Sequence, residues 1–212
     1  MSPRHPEGRG SVNDTIVVLT SDHGDMMGSH GLLAKTVMYE ESVTVPLLIK
    51  APGLEPRTER HVVSQVDLVP TLLDMLGAMV PETLQGISLR PLLESGKPPS
   101  SSDVFVEWTG TDEAPSMLGD AQAIPDYLKK LGSPEQLRRA SVDPLRTVIT
   151  ENRWKLVHSP NLECHALYDL NADPLECNNL YGAAEHTERV EVMRRRLRQW
   201  GARTGDDVAS AI

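Results

Sequence analysis

The sequence predicts an α/β fold, a mixed sheet with flanking helices, followed by a small antiparallel sheet and a terminal helix. Two observations carry this prediction. Early in the chain, two apolar runs continue without alternation, as in strands buried on both faces of a parallel sheet. Later runs are short and separated by turn residues, as in an antiparallel meander. The chain has 212 residues, 39% of them hydrophobic, which suits one large domain or one domain with a small appendage.

Residues 15–97 supply the α/β elements. The predicted elements are strands at 16–19 and 46–49, a short extended piece at 62–63 and a short helix within 36–42. A longer helix is predicted after Asp67, which we interpret as its N-cap, with one apolar stripe formed by Leu68, Val69, Leu72, Leu73 and Leu76. Gly77 follows at the C-terminal position that favours glycine.

Residues 98–212 predict a separate C-terminal subdomain, because a Pro/Ser-rich stretch around 96–102 resembles a linker. Its predicted strands lie at 104–108, 146–150, 154–158 and 166–169. An inserted loop is expected at about 111–142, with a helix near 121–130. The terminal helix is expected at about 185–203, with Val190, Met193, Leu197 and Trp200 on one stripe.

Charge and composition exclude several classes of function. The chain carries 21 basic and 30 acidic side chains, for a formal net charge of −9, which argues against a nucleic-acid partner. No apolar run approaches the roughly 20 residues of a membrane span. Residues 1–14 read as disordered coil without the apolar core of a signal peptide. That slightly favours a cytoplasmic location, but localisation stays open, because an export signal upstream of Met1 would not be visible.

The residues that follow the first predicted strand are rich in candidate site residues. Asp22 and His23 offer a carboxylate and an imidazole side by side, which suits one metal ion. Lys35 adds a positive charge suited to an oxyanion, and His30 could donate a hydrogen bond to the same anion. An isolated Asp-His pair after a strand is also common in a plain turn, so the residue types alone leave both readings open.

A series of motifs in a fixed order resembles the sulfatase family of the alkaline phosphatase-like superfamily. The first motifs are Thr20-Ser21-Asp22-His23-Gly24, Lys35 twelve residues after His23, Tyr39-Glu40-Glu41-Ser42, Val45-Pro46-Leu47 and Pro52-Gly53. They continue with Asp67-Leu68-Val69-Pro70-Thr71, Gly86-Ile87-Ser88-Leu89, Arg153-Trp154-Lys155-Leu156, Leu167-Tyr168-Asp169-Leu170, Asp173-Pro174-Leu175-Glu176 and Asn179-Leu180. The resemblance implies part of an alkaline phosphatase-like fold for residues 15–97.

The resemblance also implies site roles for four residues. Asp22 and His23 match two ligands of the family's metal site. Lys35 matches the lysine that contacts the sulfate and the developing charge, so it is expected to act in both catalysis and substrate binding. His30 is a candidate substrate contact. The metal implied is Ca²⁺, with Mn²⁺ as the alternative because His23 supplies a nitrogen donor, and the implied partner is a sulfate ester of a small molecule or sugar.

The nucleophile of the family is not found in this sequence. Sulfatases use a formylglycine made within a C/S-x-P-x-R motif, and neither Cys164, Cys177 nor any serine begins one. We therefore expect the C-terminal half of a sulfatase, inactive alone. A phosphonate monoester or phosphodiester hydrolase of the same superfamily and a non-catalytic binding or assembly module remain alternatives. The C-terminal subdomain is also a candidate homo-oligomer contact.

Side chains in the later motifs are expected to have packing roles. Glu40 and Glu41 are interpreted as helix residues rather than metal-adjacent acids. Trp154 and Tyr168 are interpreted as side chains that pack within the C-terminal sheet.

Overall fold

The computed structural model describes residues 13–99, 103–110 and 124–212. Six strands lie within these described residues: β1 (Val17–Thr20), β2 (Leu47–Lys50), β3 (Val104–Glu107), β4 (Arg146–Ile149), β5 (Trp154–His158) and β6 (Ala166–Asp169). The α-helices are α1 (Glu40–Val43), α2 (Leu68–Met75), α3 (Arg90–Ser95), α4 (Asp126–Lys129), α5 (Pro134–Ser141), α6 (Thr187–Thr204) and α7 (Asp207–Ser210). None of the helices in this part of the chain is long and apolar enough to cross a membrane.

The C-terminal sheet is an antiparallel meander, as predicted. Its strand order is β3-β4-β5-β6, and each strand pairs with its sequence neighbour. Lys155 on β5 lies opposite Tyr168 on β6. The predicted strand ranges agree with the observed ones to within one residue, because each short β-branched or aromatic run ends at a turn.

The core lies on the two faces of this sheet. On one face, α6 buries its apolar stripe, and the cluster comprises Val148, Leu156, Leu167, Val190, Met193 and Leu197. Trp200, from the same stripe, stacks on Phe105 with ring centroids 5.1 Å apart. On the other face, Tyr168 and Val157 pack with Met38, Tyr39 and Val43 from the first part of the chain. The C-terminal sheet therefore also packs against the segment that contains α1.

Strands β1 and β2 correct one prediction. They pair antiparallel in a two-stranded sheet, and Val17 and Leu19 are 51% and 57% exposed, whereas a parallel strand buried on both faces was expected. The cause is that β2 is the sole strand paired with β1 among the described residues. The exposed apolar residues of β1 and β2 have the composition of buried strands, but no described residues cover them.

The first part of the chain departs from prediction at two further places before α2. Residues 62–63 form no strand. The helix expected within 36–42 begins only at Glu40, because the backbone at Ala34 and Thr36 has positive φ angles, which a right-handed helix excludes.

The α2 region differs in its cap and in its buried face. Asp67 holds the N-cap position of α2 as predicted, but its side chain makes no cap hydrogen bond to that helix. It accepts the Ser64 N–H at 3.1 Å instead and closes a capping box at the preceding turn, Gln65–Asp67. Pro70 and Thr71 are buried, whereas Val69 and Leu76 of the expected stripe are exposed. Gly77 ends the helix in the left-handed region as predicted.

The inserted segment is more helical than predicted where it is described. Residues 111–123 lie outside the described residues, as do 1–12 of the expected coil and 100–102 of the expected linker. Helix α4 falls within the expected range, but α5 was not foreseen. Its signal was present, because Ser133 and Gln136 form a capping box with Pro134 between them.

Candidate metal and anion site

The loop after β1 opens onto a cleft of about 1190 Å³. Asp22, His23 and Lys35 all line this cleft, and β3 contributes residues to another part of its wall. Three of the four predicted site residues therefore share one cavity. Two potential metal donors and one cation thus lie on the wall of the same cleft.

Asp22 and His23 form a preorganised pair of donor atoms. Asp22 Oδ2 lies 3.4 Å from His23 Nε2. His23 Nδ1 lies 2.7 Å from the carbonyl oxygen of Gly24, and because a carbonyl only accepts, Nδ1 must carry the proton. In the neutral ring, Nε2 is then the nitrogen that carries the lone pair, and it lies beside the Asp22 carboxylate, which is the tautomer that a metal-binding imidazole needs.

The electrostatics of Asp22 favour its charged form. Its pKa is lowered, first by a hydrogen bond from its own backbone N–H and then, against slight desolvation, by His23 and Ser21. The donor set nevertheless stays a pair, since in residues 13–99, 103–110 and 124–212 no group of three or more His, Cys, Asp or Glu side chains could hold a metal. Two protein donors fit part of a divalent-cation site and leave most coordination positions to other ligands.

The loop that carries this pair rests against α1. The Gly24 N–H donates to the Ser42 carbonyl at 2.9 Å. A Cβ atom at Gly24 would lie 2.0 Å from the Glu41 carbonyl oxygen, so only glycine permits this close approach. Further along, the Met26 N–H donates to the Ala34 carbonyl at 2.7 Å, which closes the loop one residue before Lys35.

His30 is placed apart from the other predicted site residues. It is not among the residues that line the cleft. Its ring instead stacks on Tyr39, with centroids 3.9 Å apart and planes 11° apart. Tyr39 in turn lies 6.4 Å from Tyr168, ring to ring, and burial raises the pKa of the Tyr39 hydroxyl. The expected substrate contact of His30 stays a prediction.

A buried ion cluster behind the loop was missed at the sequence level. Lys155 Nζ lies 3.0 Å from Glu40 Oε1 and 2.9 Å from Glu176 Oε1. The three residues stand in three of the motifs quoted above, so the motifs contained the signal. Glu40 and Lys155 were both assigned to packing, whereas they pair through charges.

Known proteins resemble this chain along most of its length. The family model for the C-terminal part of N-sulphoglucosamine sulphohydrolase matches residues 28–118 and 136–203. An N-acetylglucosamine-6-O-sulfatase from Bacteroides thetaiotaomicron is 31% identical over 194 residues, which cover 90% of this chain and 30% of that protein.

Solved structures show the same fold. A structure in complex with its substrate D-glucosamine-2-N,6-O-disulfate matches with a TM-score of 0.73 and 29% identity, over 93% of this chain and 36% of the other. The phosphonate monoester hydrolase of Agrobacterium radiobacter matches with a TM-score of 0.69 and 29% identity, over 92% and 36%.

The chain thus spans about a third of the length of the proteins it matches. Those similar proteins are hydrolases, and sulfatases generally use a metal ion. The family model, which covers more than half of the chain, agrees with the order of the motifs in the sequence. The chain belongs to the sulfatase family and corresponds to the C-terminal part of its alkaline phosphatase-like fold.

Proposed function

We propose that this chain supplies part of the active site of a sulfuric ester hydrolase. Asp22 and His23 provide two ligands of a divalent-metal site, and Lys35 binds the sulfate group. The observation that carries the proposal is the position of His23 Nε2 beside the Asp22 carboxylate, with Nδ1 bound to the Gly24 carbonyl, in the cleft that Lys35 also lines. The family membership of the chain supports the same assignment.

Each residue then has a defined role. A bound Ca²⁺, or Mn²⁺ as the alternative, would neutralise sulfate oxygens and activate the nucleophile. Asp22 contributes a hard anionic oxygen, and His23 contributes a nitrogen held in place by Gly24. The Lys35 ammonium stabilises charge that develops on the leaving oxygen, an effect typically of about 2.7–4 kcal/mol for one well-placed donor.

A sulfated amino sugar is the substrate class that we propose. Two similar proteins support it: one is named an N-acetylglucosamine-6-O-sulfatase, and the other is in complex with a glucosamine disulfate. The cleft is also large enough for a monosaccharide, since pockets for small ligands commonly measure about 300–1,000 Å³.

The covalent step needs a group that this sequence does not encode. No C/S-x-P-x-R motif occurs in the 212 residues, so the formylglycine nucleophile would have to come from other polypeptide. We expect the purified chain to show no hydrolysis of 4-nitrophenyl sulfate. Metal-dependent turnover by this chain alone would contradict the proposed division of the site.

A phosphonate monoester hydrolase is the second candidate. The match to the Agrobacterium enzyme supports it, because the identity of 29% is the same as for the structure with the glucosamine disulfate, and the coverage of this chain is 92% against 93%. The metal pair and the lysine would serve a phosphonate as well as a sulfate. A non-catalytic binding or assembly module, including self-association through the C-terminal subdomain, remains as a third candidate.

The metal assignment can be tested on the protein as it stands. We expect Mn²⁺ to broaden the Gly24 amide signal in NMR spectra, because that amide adjoins His23. Asp22→Asn and His23→Gln should each raise the Mn²⁺ concentration that is needed to broaden the Gly24 amide signal, by about tenfold or more. The matched internal control is His186, whose Nε2 lies 3.6 Å from Glu185 Oε1. Equal broadening at both places, or no effect of either substitution, would overturn the assignment.

A further inference from the structure

We propose that Lys155 and Glu176 of the C-terminal subdomain are positioning residues for the metal-binding loop, acting through α1. The inference builds on the proposed function, because it assigns the Asp22–His23 loop as the element that is positioned. It makes the C-terminal sheet part of the machinery that holds the site in place. The contacts below carry it in two steps.

The first step links the C-terminal sheet to α1. The Lys155 side chain is fully buried, and its Nζ donates to Glu40 Oε1 at 3.0 Å. Glu176, equally buried, lies 2.9 Å away, but off the hydrogen-bond direction, so that contact is an ion pair. Glu176 Oε2 also accepts the Glu40 backbone N–H at 2.6 Å. Side chain and backbone of one residue are thus both fixed from the C-terminal subdomain.

The second step links α1 to the loop. Glu40 is the first residue of α1, and Ser42 in the same helix accepts the Gly24 N–H. Gly24 also holds the tautomer of His23 through its carbonyl. At the other end, Tyr39 adjoins Glu40 and stacks on His30. A shift of α1 would therefore move the donor pair and the segment that leads to Lys35.

A contact whose only role is packing would not be expected to consist of buried charged side chains. Burying an ammonium and a carboxylate requires their desolvation, and an apolar pair of similar volume often stabilises a fold equally well. What a charged contact adds is direction, because Lys155 must face both carboxylates at once. That property suits a contact which fixes the position of α1 on the sheet.

The molecule offers a matched comparison for this contact. Arg146 and Asp206 form a second buried ion pair, with side chains 5% and 12% exposed and a distance of 2.8 Å. That pair joins β4 to the N-cap of α7, inside the C-terminal subdomain. Loss of either pair should weaken the fold, but only loss of the Lys155 pair should release the metal-binding loop.

Amide hydrogen exchange in the full chain separates these outcomes. The readout is exchange of the Gly24 amide relative to the Leu170 amide, which donates to the Arg153 carbonyl within the C-terminal subdomain. In Lys155→Met, we expect the Gly24 amide to exchange at least about tenfold faster relative to Leu170. In Arg146→Met, we expect both amides to accelerate together, so that their ratio stays within about twofold of wild type.

A milder pair of variants covers the case in which a buried substitution prevents folding. Glu40→Ala leaves Lys155 paired with Glu176, and Asp103→Ala removes a partly buried carboxylate that binds Arg196 at 2.6 Å. We expect selective acceleration at Gly24 in Glu40→Ala alone. Unselective acceleration in both, or an unchanged Gly24 amide in Glu40→Ala, would overturn the proposal. Neither result depends on metal binding, so failure of the proposed function is read separately from the Mn²⁺ experiment.

Discussion

At the scale of single residues, His158 shows how burial changes acid–base behaviour. Its pKa is lowered to about 4, first by desolvation and then by the charges of His165 and Arg194. The rings of His158 and His165 are 5.0 Å apart, and no described group hydrogen-bonds His158 Nδ1. The folded protein therefore holds this imidazole neutral at pH values where an exposed histidine would be charged.

The consequence is a defined pH dependence of stability. Because an ordinary histidine has a pKa of about 6.5, the unfolded chain binds a proton between about pH 6.5 and 4 that the folded chain does not. The free energy of unfolding should therefore decrease as the pH is lowered from about 6.5 to 4, by at most about 1.4 kcal/mol per pH unit from this ring.

Urea unfolding at several pH values within and above the window measures this decline. His158→Phe should make this decline less steep. The part of the slope that remains is assigned to His165, whose pKa is also lowered by burial. Leu48→Ala, which removes an exposed side chain that does not titrate, should keep the wild-type decline. An unchanged slope in His158→Phe would contradict the neutral, buried state.

At the scale of elements, the contact between the loop after β1 and α1 depends on one glycine. In Gly24→Ala, the new methyl group would meet the Glu41 carbonyl at 2.0 Å, and backbone atoms cannot move aside as a flexible side chain can. We expect a loss of about 1–3 kcal/mol in the free energy of unfolding and weaker Mn²⁺ broadening around residue 23. Gly132→Ala is the control, because the nearest neighbour of its new methyl group is a side-chain atom, Gln136 Oε1, at 3.3 Å. Equal behaviour of the two variants would show that the loop does not rest tightly on α1.

The sequence predicted those elements and site residues whose signal lies in residues that are neighbours along the chain. The meander and α6 were predictable because each strand, turn and stripe is recorded in neighbouring residues. Asp22 and His23 could be predicted as a pair for the same reason, because they are adjacent in the chain, and their metal-binding role stays a prediction. The Lys155 cluster was not, because Glu40 lies 115 and 136 residues from its partners. Such contacts arise only when distant elements pack, and α1 was too long in the prediction because side-chain pattern does not reveal positive φ angles.

At the scale of the whole molecule, apolar burial is uneven. Fully buried aliphatic side chains cluster between the C-terminal sheet and α6. The apolar residues of β1 and β2 are exposed or half-buried, among them Leu48. Their alternation-free pattern predicted burial, and the described residues do not provide it. Most of the hydrophobic stabilisation should accordingly come from the C-terminal subdomain.

Two leucine substitutions, one in each sheet, test this uneven distribution of apolar burial. Leu167 on β6 is completely buried, whereas Leu48 on β2 is 61% exposed. Leu167→Ala leaves a cavity and should lower the free energy of unfolding by about 2–5 kcal/mol. Leu48→Ala removes the same atoms from a surface and should change it by no more than about 0.5 kcal/mol. Urea unfolding of both variants gives the comparison, and a large loss in Leu48→Ala would show that the β1–β2 face is covered in solution. A small loss would leave β1 and β2 as strands whose apolar side chains contribute to stability only when other polypeptide covers them.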